Sequence, residues 1–164
     1  MEKLWKALQQ VHTLEFVAQS RSNTGWTGKG TGSVRVESPT AESIVFQESG
    51  LWYSAINKGL KFRNVYRWLR LEDRVRLEHL RFGEKHSVYL FDMAPDTETT
   101  WSSVTPHLCR QDEYIAQLEL QDGCISLNWK VIGPEKDEAI RYRYQYAMSL
   151  VLVILLETAI MQTV

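Results

Sequence analysis

The chain has 164 residues, of which 44% are hydrophobic and 24% charged, with a formal net charge of −1. That length suits one domain, able to bury about 70% of the surface its unfolded chain exposes. The near-neutral balance excludes a bulk electrostatic attraction to nucleic acid or to a membrane surface.

Residues Glu2 to Gln10 are predicted to form a short helix with Leu4, Trp5 and Leu8 on one side. The charged opening MEKLWKALQQ lacks the apolar core of a secretory signal. Beyond it the hydrophobic period becomes two. In TLEFVAQS, Leu14, Phe16 and Ala18 alternate with Glu15, Val17 and Gln19. The run GWTGKGTG follows. It lacks the spacing of a phosphate loop, because Asn23 and Gly30 stand where a glycine and a hydroxyl residue are needed around Gly28-Lys29. It lacks the dinucleotide fingerprint too, because Ser33 replaces the last glycine. Its period is again two: Trp26, Gly28, Gly30, Gly32, Val34 and Val36 share one face of a strand. Glycines on that face remove bulk and permit a bend or a close approach.

The series continues. Ile44, Phe46 and Glu48 share a parity, as do Phe62, Asn64, Tyr66 and Trp68, then Val75, Leu77, His79 and Arg81. SVYLFDM, EYIAQLEL, CISLNWKVIG and EAIRYRYQY follow, and turn signals such as Asn57-Lys58-Gly59 and Gln121-Asp122-Gly123 separate the runs. About nine or ten short strands on this spacing predict an antiparallel up-and-down barrel, because closure removes exposed edges. The opening helix is expected to cap one mouth. The expected domain spans residues 1–146, and 147–164 form an apolar extension, a helix or a last strand. Its unbroken apolar part, Ala147 to Leu156, is too short to span a bilayer; because so large an apolar surface must be covered, membrane or partner docking is its alternative role.

Four blocks, FRNVYRW, LEHLRFG, PHLCRQDEY and NWKVIGPEKD, stand out in combination with GWTGKGTG. Together, from about Leu4 to Tyr144, they resemble the domain of unknown function 6314 family of small bacterial and fungal proteins. The resemblance implies a mainly β domain similar to the calycin-type barrels of lipocalins, fatty-acid binders and nitrobindins. It implies no established activity.

Chemistry is sought in polar side chains on apolar parities. Glu48, Asn64, His79, Arg81, Tyr142 and Tyr144 are predicted to face inward, where a charge must be paired, hydrogen-bonded or solvated. Glu48 with Arg81 is the expected pair, completed by His79 or a tyrosine. Two readings follow: a buried polar cluster, or a ligand pocket of apolar walls with a few directed polar groups. In the pocket reading, Trp26, Phe62, Tyr66, Trp68 and Trp129 are walls. Arg81, Glu48, Asn64, His79 and a tyrosine such as Tyr142 orient a polar or anionic end. The ligand class is then a small hydrophobic or amphiphilic molecule.

The alternatives are a cofactor-independent isomerase, cyclase or hydrolase, and an adaptor with a filled barrel. The enzyme would use His107 or His79 as base and Asp112 or Glu48 as orienter. His107, Cys109 and Asp112 are the densest reactive group, although Pro106 and the following charges predict a loop in which His107 and Asp112 hold a turn while Cys109 packs. Four scattered histidines make no metal-ligand spacing. No cofactor is expected; haem enters by analogy with histidine-ligated barrels, with His79 or His107 as axial ligand. In KFRNVYRWLR the basic residues alternate with the aromatics onto opposite faces, so it reads as a wet outer face rather than a nucleic-acid platform. Two cysteines, Cys109 and Cys124, suit reduced thiols and a cytoplasmic setting.

Overall fold

Closure follows from the order in which the strands pair. The computed structural model describes residues 1–22, 27–54, 58–81 and 83–147. A helix, α1 (Glu2–Gln9), leads into eleven strands: β1 (Val11–Ser20), β2 (Gly28–Thr40), β3 (Ser43–Ser54), β4 (Lys58–Arg70), β5 (Val75–His79), β6 (Val88–Pro95), β7 (Thr100–Ser103), β8 (His107–Cys109), β9 (Asp112–Gln121), β10 (Cys124–Gly133) and β11 (Lys136–Tyr146). From β1 to β7 each strand pairs antiparallel with its successor. β7 then pairs with β9, β9 with β10, β10 with β11, and β11 with β1. The result is a closed ring of ten strands. β8 is additional: it lies on the same edge of β9 as β7, further along that strand.

The alternation read from the sequence has the sidedness that a closed sheet requires. Leu14 and Ala18 on β1, Ile44 and Phe46 on β3, Tyr66 and Trp68 on β4, and Leu127 and Trp129 on β10 are all buried. Their neighbours Thr13, Glu15, Arg63 and Lys130 are exposed. One end of the barrel is sealed by α1, which buries Leu4, Trp5, Ala7 and Leu8 against the core. Trp5 Nε1 donates to the Ala41 carbonyl in the β2–β3 turn at 3.0 Å, and Arg70 at the end of β4 pairs with Glu2 at 3.0 Å. Above this plug the interior is filled by Trp68, Trp101, Phe91 and Leu77.

Two departures from the sequence reading have local causes. The period of two does not run on to Arg81. β5 ends at His79, and Leu80 turns inward with its N–H on the Val65 carbonyl at 2.8 Å, so Arg81 falls on the outside. PHLCRQDEY is not a loop but the β8–β9 hairpin, turning at Arg110, whose φ of 60° is left-handed. Trp26 and residues 148–164 lie outside the described residues, so the wall role of the first and the docking role of the extension rest on sequence alone. Among the described residues no helix is long and apolar enough to cross a membrane.

The glycines let β2 and β3 bend against each other. A Cβ on Gly50 would strike the Thr31 carbonyl oxygen and lie 2.8 Å from Cε1 of Phe62. A Cβ on Gly30 would occupy the space of the Phe16 ring. Because the Gly50 collision is with backbone, it cannot be relieved by a rotamer change. Gly50→Ala is expected to destabilise the protein by about 1–3 kcal/mol. The neighbouring Ser49→Ala, on the exposed side, should stay within about 0.5 kcal/mol of wild type. Urea midpoints of the two variants check this; equal midpoints would refute the bend.

Candidate functional site

The end opposite α1 is where β1, β3 and β10 finish and where β2, β4 and β11 begin. A cavity of about 580 Å³ lies there. Its wall is largely aromatic: Phe16, Trp52, Phe62, Tyr66, Trp129 and Tyr142. Ala18, Leu60 and Ile140 complete the apolar part, with Asn64 and Lys61 as the other polar residues. The rings brace one another. Phe16 meets Phe62 edge-on at 5.4 Å and stacks on Tyr142 at 5.2 Å, and Tyr142 in turn stacks on Tyr144 at 5.6 Å. Trp129 leans on Tyr66 and Tyr142. Its indole N–H is buried and finds no acceptor among the described residues.

Immediately beyond Asn64 lies Glu48, with no solvent exposure at all. Register places it there: Glu48 is paired with Asn64 on β4 and with Val34 on β2. Tyr144 donates its hydroxyl to Glu48 Oε1 at 2.7 Å, and Asn64 donates from Nδ2 to Oε2 at 3.2 Å. Both partners are neutral, and Glu48 belongs to no ion pair among the described residues. Burial raises its pKa to about 7, because the two hydrogen bonds recover only part of the lost hydration. Tyr66, Tyr142 and Tyr144 are all pushed above the ordinary phenol range, by burial first, then by the nearby carboxylate for Tyr142 and Tyr144, and by Tyr142 before that carboxylate for Tyr66. They therefore remain neutral hydrogen-bonding groups at any ordinary pH.

The residues singled out from sequence divide by location. Asn64, Tyr66, Tyr142, Phe62 and Trp129 line the cavity, and Glu48 backs it. Trp68 does not: it is core beneath the cavity, edge-on to Phe46 at 6.0 Å. Glu48 is held by Tyr144 and Asn64 rather than by Arg81, which is exposed beyond the end of β5. His79 is half-buried and stacks on Tyr66 at 4.8 Å; burial and the charge of Arg81 lower its pKa. The hairpin residues do not assemble. Asp112 is bonded by Lys136, Cys109 is exposed, and His107 packs its ring between Tyr89 and Tyr114.

Neither His79 nor His107 is among the residues that line this cavity. Among the described residues no three of His, Cys, Asp and Glu converge as a metal site. Phe16, Ala18, Trp52 and Ile140 were legible as wall residues from their parity with Leu14, Glu48 and Tyr142. Lys61 was not, since its strand position faces outward.

Fold and site define a closed ten-strand antiparallel barrel, plugged at one end and hollow behind a polar floor at the other. The chain belongs to the DUF6314 family, a family of unknown function whose model matches residues 8–146. No curated protein matches it. Among solved structures, it is similar to a redesigned β-barrel, mFAP1, bound to DFHBI, at 8% identity over 85% of this chain and 97% of that one, with a TM-score of 0.43. A de novo designed fluorescence-activating β-barrel is 13% identical over 85% of this chain and 96% of that one, with a TM-score of 0.43.

The raised pKa of Glu48 has a thermodynamic consequence. Between 4.5 and about 7 the folded protein holds a proton that the unfolded chain has released. Stability therefore falls as pH rises through that window and levels off above it. A carboxyl moved from 4.5 to about 7 corresponds to a loss on the order of 3 kcal/mol. Glu48→Gln cannot titrate and should not show this loss. Urea unfolding of both proteins at pH 4.5 and pH 8 reads the difference; parallel pH dependence in the two would show that Glu48 is not the source.

Proposed function

We propose that this protein binds a small, largely planar apolar molecule in the mouth of the barrel, with a polar group at the inserted end. The observation that carries this reading is the cavity itself. Protein interiors are close-packed, with few voids larger than a water molecule. A hollow of about 580 Å³ walled by six aromatic side chains is of the size and composition of a ligand site.

The floor argues about charge. An anionic group driven to the deep end would meet the carboxyl of Glu48, so a neutral polar group fits better there. An anionic group on the ligand would belong at the rim, beside Lys61. The binding reading is preferred to the enzyme because neither His79 nor His107 is hydrogen-bonded to a carboxylate among the described residues. It is preferred to the filled-barrel adaptor because the mouth is not filled.

A naphthalene-sized aromatic probe, 2-naphthol, tests the site, since Trp52 and Trp129 in the wall report binding by fluorescence quenching. Ala18→Phe places a ring in the cavity from a buried wall position. It should weaken probe binding by about tenfold or more by occupying the same space. Equal affinity in the filled variant and the wild type would refute the mouth as the site.

A further inference from the structure

The floor of the cavity has a hydrogen-bonding polarity that identifies which end of a ligand enters first; this rests on the mouth being a binding site. An ionised carboxylate can only accept hydrogen bonds. Both groups that meet Glu48 must therefore donate, and they do, Tyr144 through its hydroxyl at 2.7 Å and Asn64 through Nδ2 at 3.2 Å. An amide whose nitrogen is turned to Glu48 has its oxygen turned away from it. Asn64 is itself part of the cavity wall, whereas Glu48 is wholly buried behind it. The acceptor left over is thus Asn64 Oδ1, on the cavity side. Beside it, Tyr66 and Tyr142 interact with each other.

We infer that the floor selects a ligand whose inserted end carries a hydrogen-bond donor, such as a phenol, an amine or an N–H heteroaromatic, and that Glu48 is the positioning residue that imposes this choice by fixing the orientation of the Asn64 amide. Protonation of Glu48 converts one of its oxygens into a donor, and Asn64 is then no longer obliged to present its nitrogen. Because Glu48 titrates near 7, the selection weakens below neutral pH. The titratable groups that face Glu48 are Tyr142 and Tyr144 from β11 and Tyr66 from β4, all raised beyond this pH range; β2 contributes Val34. His79 lies one ring further out, stacked on Tyr66, with its own pKa lowered by burial and by Arg81.

The test compares 2-naphthol, a donor, with 2-methoxynaphthalene, its acceptor-only ether, by tryptophan quenching at pH 8 and pH 5.5. In the wild type, 2-naphthol should be favoured by about tenfold at pH 8, the usual cost of leaving a buried acceptor unpaired, and by about twofold at pH 5.5. In Glu48→Gln the new amide can keep accepting from Tyr144 through its oxygen, and in that orientation it turns its N–H₂ to Asn64. Asn64 then offers its oxygen to that group and its own N–H₂ to the cavity. The preference for 2-naphthol should disappear at both pH values, and the ether should bind more tightly than to wild type. His79→Gln should keep the wild-type pH dependence.

Equal affinity for the two probes in the wild type at pH 8 overturns the donor selection and leaves the binding site standing. A preference that survives Glu48→Gln does the same for the role of Glu48. Failure of both probes to bind overturns the site and this inference together. Should Glu48→Gln not fold, the wild-type profile decides: a preference constant from pH 5.5 to pH 8 refutes the positioning role.

Discussion

A hydrogen bond from Tyr144 on β11 to Glu48 on β3 joins residues 96 positions apart across the interior of the closed sheet. β11 reaches the interior opposite β3 because β11 pairs with β1 along nearly its whole length, from Val11↔Tyr146 to Ser20↔Glu138. That pairing removes the edges a row of hairpins would otherwise expose. It also makes every inward side chain a neighbour of the same small volume. A polar group placed on that face has no route to water, so it must find its partners among the other inward residues.

Packing inside the ring is graded from one end to the other. At the end closed by α1, large side chains such as Trp68, Trp101 and Phe91 fill the interior. Toward the mouth the inner face of β2 carries Gly28, Gly30 and Gly32, opposed by Gly50 on β3. These positions contribute no volume. They allow the Phe16 ring to lie across Gly30 and the two strands to bend closely together. The hollow at the mouth is therefore written into the same strands that build the core lower down. The glycine run raises no phosphate chemistry; it sets where the barrel is empty.

Glu48 sits at the boundary between the filled and hollow halves. A cation beside it would have locked the carboxylate in its charged form and pulled its pKa down. Neutral donors hold it less firmly, so its charge state changes near 7. The consequence is a floor whose hydrogen-bonding character depends on pH, next to an aromatic wall whose tyrosines do not titrate in that range. Ion pairs elsewhere, such as Arg76 with Asp92 and Arg67 with Glu78, stay on the outer side of the sheet. They bridge register partners on neighbouring strands, Arg67 with Glu78 and Arg76 with Asp92, and do not enter the interior.

Alternation of residue type along the chain sufficed to identify the long strands, their inner faces, the capping helix and the inward aim of Glu48, Asn64, Tyr66, Tyr142 and Tyr144, but neither of the short strands β7 and β8. Period-two sidedness is a local property, and each strand carries it independently of the others. Partnership is not local. Arg81 has the parity of an inward residue, yet Leu80 takes the interior after β5 ends, and no pattern in LEHLRFG distinguishes the two. Trp68 shares a face with Tyr66 but lies one layer deeper, so it packs the core while Tyr66 lines the cavity. His107, Cys109 and Asp112 crowd together in sequence, but a tight hairpin and Lys136 separate their chemistry. The sequence by itself thus determined which face of each long strand turns inward. Depth within it, and the choice of Tyr144 rather than Arg81 as the partner of Glu48, were decided only by the tertiary structure, because both depend on strand register and ring closure across distant parts of the chain.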